Sequence, residues 1–283
     1  MASDPVFPAE LEREIFETTA SLYPATIPSL LRVSRRVCVW IEPLLYRVIG
    51  TDPGPSDSTI VQATRTKSAD FFRYSVKHVY LGAAESYTEA ILPVLRLCSE
   101  IHSVAYVDVH AEPKLLELIK EFREIRRWSG FLEGLFVDPS AIDLSLAVFR
   151  SVTHMDMFDD VFMNSPSTAR LCAGLAALPA LTHLCLNRRV DGEILRNLLQ
   201  GCSYLQLLVN MWADRMNAMD MVAAHRKAGI DDIRYVVVVC DDYWSDWDVG
   251  ARGGKDFWAA AEDFVMRKRR REIEESCHLL ESW

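Results

Sequence analysis

Leu178-Pro179-Ala180-Leu181-Thr182-His183-Leu184-Cys185-Leu186 holds the pattern that decides the fold. Apolar residues stand at 181, 184 and 186, separated first by two residues and then by one. The last two slots alternate as side chains on one face of a strand do, so they point to one core. The pattern recurs as Val76, Val79, Leu81; Ile101, Val104, Tyr106; Leu132, Leu135, Val137; Val152, Met155, Met157; and Ile233, Val236, Val238. A further copy begins with Leu205 and Leu208 and carries Asn210 in its last slot. The copies start at 76, 101, 132, 152, 181, 205 and 233, in steps of 20 to 31 residues. Their approaches repeat as well: Leu95, Cys98, Ser99 and Ile101 are matched by Leu199, Cys202, Ser203 and Leu205.

Between these strand candidates the apolar spacing turns helical, over 90–97, 114–128, 141–149, 169–178 and 193–199. Strand, turn, helix and return, repeated, build a parallel sheet with helices outside. The step resembles the period of leucine-rich repeats, roughly 20–29 residues. The expected fold is therefore α/β: a short, irregular leucine-rich-repeat-like array with a parallel sheet of about seven strands over 59–250. A doubly wound domain is the other reading, but no Gly-x-Gly-x-x-Gly or P-loop opens a helix here.

Strand alternation assigns His78, Tyr80, Ser103, Ala105, Phe136, His154, Asp156, His183 and Cys185 to an open, concave face. Leu207, Val209 and Met211, then Tyr235, Val237 and Val239, leave the last two strands apolar on both faces. Such strands are covered on both sides. Residues 251–283 are accordingly expected to fold back as a capping helix. The competing reading is an exposed apolar pocket for a partner peptide.

The chain has 283 residues, half of them hydrophobic and a quarter charged, with mean hydropathy +0.04. Those values exclude disorder along the whole length. Forty acidic against thirty-one basic residues give −9, which argues against nucleic acid as a partner. No apolar run approaches ~18 residues, so no membrane span is expected. Met1-Ala2-Ser3-Asp4-Pro5 lacks the basic and apolar regions of a signal peptide. The seven cysteines are scattered, with no C-x-x-C pair, as in reduced proteins of cytoplasm or nucleus.

Residues 5–49 read as a separate helical module, and 50–58, rich in Pro, Gly, Ser and Asp, as a linker. Pro8 suits a first helical turn, and Glu10, Glu12 and Glu14 favour the positive end of its dipole. Pro24 and Pro28 break that helix from the next, and Ser34 offers a cap to a third. Phe7-Pro8-Ala9-Glu10-Leu11, Ile15-Phe16, Leu30-Leu31-Arg32-Val33-Ser34-Arg35-Arg36-Val37, Trp40 and Pro43-Leu44-Leu45-Tyr46-Arg47 resemble an F-box. The match is to the F-box-like form abundant in mushroom-forming fungi, with Phe7 where that family usually has leucine. The resemblance covers about a sixth of the chain. It implies a three-helix module that docks on a Skp-type adaptor of a cullin ubiquitin ligase. It also implies adaptor contacts at Phe7, Pro8, Leu11, Ile15, Leu30, Leu31, Val37 and Trp40, some of which must serve the module's own core. The repeat array would then select an unidentified target protein. The alternative is a non-catalytic repeat scaffold whose front module is only a structural cap.

Cys240 to Asp248 mixes four carboxylates with three aromatics and is expected to be a loop after the last strand. Tyr243, Trp244 and Trp247 are its candidate substrate contacts, against a reading in which they pack beneath it. The basic run Arg267-Lys268-Arg269-Arg270-Arg271 sits in a helical pattern followed by Glu272, Glu274 and Glu275, and is read as a solvated helix face. His154, His183 and Asp156 could meet on neighbouring strands, yet His78, His154 and His183 share one repeat slot, so they read as positions of the array. No Gly-x-Ser-x-Gly or His-Glu-x-x-His motif occurs. No enzyme activity, metal or cofactor is expected.

Overall fold

The computed structural model describes residues 7–50, 62–82, 91–106, 113–136, 138–159 and 166–283. Among the described residues nine strands make one sheet: β1 (Val48–Gly50), β2 (His78–Leu81), β3 (Ser103–Tyr106), β4 (Arg127–Gly130), β5 (His154–Met157), β6 (His183–Leu186), β7 (Leu207–Trp212), β8 (Tyr235–Val239) and β9 (Leu279–Leu280). They lie in sequence order, and every neighbouring pair is parallel. Parallel neighbours need a crossover, and the crossovers carry the helices.

Ahead of β1 stand α1 (Ala9–Leu22), α2 (Ile27–Leu30) and α3 (Arg35–Leu45). Ser34 caps α3 as expected, accepting from the Val37 N–H at 3.3 Å. Ala20, Ile27, Val37 and Ile41 form a small core of their own. This bundle meets the first crossover after β1 through Tyr46, whose ring stands edge-on to Phe71 and Phe72, and through a 2.6 Å ion pair of Lys67 with Glu42. β1 follows α3 closely, so the residues expected to end the module also open the sheet. The linker expected at 50–58 lies outside the described residues except for Gly50, which is part of β1.

The crossovers contribute α4 (Ala69–Ser75), α5 (Pro113–Ile119), α6 (Pro166–Ala176), α7 (Gly192–Gly201) and α8 (Arg215–Lys227). Their apolar sides, with Phe72, Leu115, Leu175 and Leu195 buried, pack on one sheet face, where Val79, Val104, Met155, Leu184 and Leu208 stand in register. After β8, α9 (Tyr243–Ala251) and α10 (Phe257–Arg269) turn back over the opposite face. Asp242 and Asp256 start these helices by accepting from the Ser245 and Ala259 N–H groups.

Several expectations need correction. The copy expected to start at 132 starts at Ile125: its strand is β4, and the helix expected to run to Trp128 ends at Ile119. Gly130 hid the strand. It fills the slot held elsewhere by Tyr106 and Met157, at φ +135°, where a Cβ would stand 1.7 Å from the Tyr106 carbonyl oxygen. Phe136 consequently lies beyond the strand and packs in the main core near Phe149. In the last copy, Tyr235 and Val237 face the main core, whereas Val236 and Val238 face α10, so that copy starts one residue earlier. With both changes, the steps narrow to 24 to 29 residues. Residues 141–149 hold no α-helix. Asp138 and Asp143 accept from the Ser140 and Ser145 N–H groups, a local bonding that competes with helix and leaves two 3₁₀ turns. The helix α8 was not anticipated.

Candidate functional site

Two surfaces hold the candidate residues. The first is the outer side of α1. Phe16 and Ala20 turn inward, while Leu11, Ile15 and Leu22 share an outer face with Phe7 just ahead of the helix. Phe7, Leu11 and Ile15 are 51%, 49% and 50% exposed. Eight of the fifteen large apolar side chains exposed among the described residues lie between 7 and 45, and Phe7, Leu11, Ile15 and Leu22 of these stand on this side of α1. Pro8 sits at the head of the helix and is exposed. Leu30, Leu31 and Trp40 are half-buried against the module core, with the Arg36 guanidinium over the Trp40 ring. Val37 is buried. The adaptor-contact set therefore divides: Phe7, Pro8, Leu11 and Ile15 are open, Leu30, Leu31 and Trp40 are partly open, and Val37 holds the bundle together.

The second surface is the sheet face expected to be open and concave. It is covered. Ser103, Ala105, Asp156, His183 and Cys185 are buried, and His78, Tyr80 and His154 are half-buried. The physical cause is the apolar Leu207, Val209, Met211, Val236 and Val238, which α10 covers with Phe257, Trp258, Ala261, Phe264 and Val265. The segment expected to be a loop is α9, and its aromatics lie on the sheet. Trp244 packs against Tyr80 with centroids 4.5 Å apart and stacks on Phe158, and Trp247 stands 6.1 Å from Tyr80. Tyr243 donates its hydroxyl hydrogen to Asp156 Oδ2, while Asn187 donates to Asp156 Oδ1. Burial pushes the Asp156 carboxyl up to about 7, against the pull of those hydrogen bonds. The expected capping helix over 251–283 is α10, extended by β9; α9 completes the cover from within the stretch assigned to the array.

Beneath α10, the His154 and His183 rings stack with centroids 4.1 Å apart and planes 5° from parallel. Trp258 stands edge-on to both. His183 Nε2 lies 2.8 Å from Glu262 Oε1. Each Nδ1 meets the hydroxyl of the preceding threonine, Thr153 at 2.9 Å and Thr182 at 2.8 Å. Burial is the main cause that lowers both imidazoles, His154 to about 2, and the nearby Arg127 adds to it. Asp156 does not join this pair as the sequence suggested, because Tyr243 and Asn187 hold it; Glu262 from α10 supplies the carboxylate.

A recess of about 440 Å³ opens where α3 meets the starts of β2, β3 and β4. Arg47, Lys77, Arg126, Arg127, His78 and His102 line it, and Glu100, Glu124 and Asp256 pair with Lys77, Arg126 and Arg127 from beside it. Arg47 Nε and His78 Nδ1 are buried there without a hydrogen-bond partner. Sequence reading missed this recess, because its basic residues come from the front module and three successive repeats. Glu262 was missed for a similar reason, lying 79 residues beyond His183.

The basic run also needs correction. Lys268 is fully buried, with Nζ 3.2 Å from the Tyr235 carbonyl oxygen and 3.1 Å from His278 Nδ1. Arg267, Arg269, Arg270 and Arg271 are exposed as expected. No described helix is long and apolar enough to cross a membrane. No family model and no curated protein matches this chain.

Proposed function

We propose that this chain is the substrate-recognition subunit of a Skp–cullin–F-box ubiquitin ligase. In this reading residues 5–49 grip a Skp-type adaptor, and a leucine-rich-repeat-like array over 59–250, capped by 251–283, presents a target protein. The chain itself performs no chemistry; it raises the local concentration of the target beside the transfer machinery. The observation that carries the reading is the stripe of Phe7, Leu11 and Ile15, half exposed on a helix whose other side already has a core. A module acting only as a cap would turn that stripe toward the sheet. The strand order and the 24- to 29-residue step support the repeat array. With the concave face covered, the cationic recess beside Arg47 is the favoured target contact, which points to an anionic side chain on the target.

The test is co-purification of the full chain with a Skp-type adaptor. Each half-exposed leucine-sized side chain has about 1 kcal/mol of burial still to gain. Pro8→Ala with Leu11→Ala should therefore weaken the complex about tenfold and leave thermal stability unchanged. Val37→Ala should instead lower stability by about 2 kcal/mol. Undiminished binding in the double variant refutes the site; failure of the native chain to bind an adaptor refutes the function.

A further inference from the structure

We propose that the recess beside Arg47 binds a phosphate group, as a phosphomonoester or the free ion, and that the bound anion joins the front module to the sheet. This deepens the reading above, which places an anionic group of the target here, and rests on it only for what carries the phosphate.

A ladder of backbone hydrogen bonds assembles the site. The Arg47 carbonyl accepts from the Lys77 and His78 N–H groups, that of Lys77 from His102 and Ser103, and that of His102 from Arg126 and Arg127, at 2.8 to 3.2 Å. Four successive rungs thereby bring Arg47, Lys77, Arg126 and Arg127 to one recess, although the chain as a whole carries −9. The ladder goes on to Thr153 and His154, then to Thr182 and His183, where no lysine or arginine follows. The charge therefore belongs to this end of the sheet and not to the repeat.

Three of the four cations have carboxylate partners: Glu100 lies 2.8 Å from Lys77, Glu124 3.3 Å from Arg126 and Asp256 3.0 Å from Arg127. Arg47 differs. No ion pair or hydrogen bond joins its side chain to any described residue, and its Nε is buried. A guanidinium neither loses its charge nor accepts a hydrogen bond, so only an acceptor from outside the chain completes it. His78, on the next rung, also has a buried Nδ1 without a partner. Burial, then the positive charges of Arg47, Arg127, His102 and Arg252, push that imidazole down to about 3. The field at this point is thus positive in spite of the neighbouring carboxylates.

Water would complete the hydrogen bonds and leave the field as it is; a dianion answers both. Lys77 and Arg127 each keep N–H groups beyond the one given to a carboxylate. With Arg47 and His78 they approach from three rungs. Phosphate offers three terminal oxygens to donors on separate elements, whereas a carboxylate offers two in one plane. Pro43, Leu44 and Tyr74 add apolar surface to the lining, and about 440 Å³ leaves room for the group that carries the phosphate.

The experiment uses the full chain in phosphate-free buffer at constant ionic strength, titrated by calorimetry with inorganic phosphate, glycerol phosphate, capped phosphoserine and acetate. One equivalent of each phosphate should bind and raise the thermal midpoint, with acetate about tenfold weaker or worse. Arg47→Gln should weaken phosphate about tenfold, while Arg269→Gln, which removes an exposed charge on α10, leaves it unchanged. His78→Leu gives a second reading, since it removes an unpartnered imidazole and should weaken phosphate without loss of fold. Capped phosphoserine binding more tightly than glycerol phosphate assigns the group to a protein side chain; the reverse order assigns it to a small molecule. No uptake at about 10 mM phosphate, uptake insensitive to Arg47→Gln, or acetate bound as tightly as phosphate would each overturn the proposal. Adaptor binding reports separately through Phe7, Leu11 and Ile15, so a failed titration and a failed co-purification are told apart.

Discussion

Replacing Lys268 with methionine should change how stability depends on pH. The ammonium is fully buried beneath β8, and burial lowers its pKa from 10.5 to about 8. Below pH 8 the amine is charged in the folded chain as in the unfolded one, and burial of that charge costs on the order of 3 kcal/mol. Between pH 8 and 10.5 the unfolded chain binds the proton and the folded chain does not, so stability rises with pH in that window. From pH 7 to 9 the native chain should gain about 1 kcal/mol more than Lys268→Met does. Methionine fills a similar volume, and His278 Nδ1, relieved of the ammonium 3.1 Å away, can donate to the Tyr235 carbonyl oxygen at 3.0 Å in its place. The variant should therefore be at least as stable as the native chain at pH 7. Urea unfolding at pH 7, 8 and 9 on both proteins reads the difference directly. Parallel profiles, or a variant markedly less stable at pH 7, would refute the account of a buried, reluctant charge.

Deleting 252–283 removes α10 and β9, and should yield an insoluble or unfolded chain, because Leu207, Val209, Met211, Val236 and Val238 lose their cover; a soluble, folded product by circular dichroism would contradict this. Trp244→Ala with Trp247→Ala should cost about 3 kcal/mol in chemical denaturation, since both rings pack on Tyr80; unchanged stability would return these aromatics to a recognition role.

The parallel architecture was legible because Val79, Val104, Met155, Leu184 and Leu208 keep one phase against the repeat. It failed locally where a residue was chosen for something other than apolarity. Gly130 sits in a core slot because the β3 backbone comes too close for any side chain, and a pattern of apolar letters passes over it. Tyr235-Val236-Val237-Val238-Val239 is apolar throughout, so alternation alone left its phase open by one residue. The front bundle was readable from Pro8, Ser34 and helical spacing. Which of its apolar residues face outward was not, because a 45-residue module has no surplus of interior positions to announce them. Lys268 lay inside a run of like charges, and nothing in the run marks the one side chain that turns inward. The His154–His183–Glu262 cluster and the cationic recess depend on stacking between repeats, which brings distant residues side by side without any local motif.

Strand order that follows chain order has a consequence for synthesis on the ribosome. Each new strand can settle on its predecessor as it emerges, so the first face assembles step by step from local contacts. Its reverse cannot, because the roof over that side follows all the strands it covers. Until α10 and β9 have emerged, a growing chain carries an oily seam and a bare β-edge, and any product terminated before them keeps both. Such fragments are natural clients for chaperones and proteases.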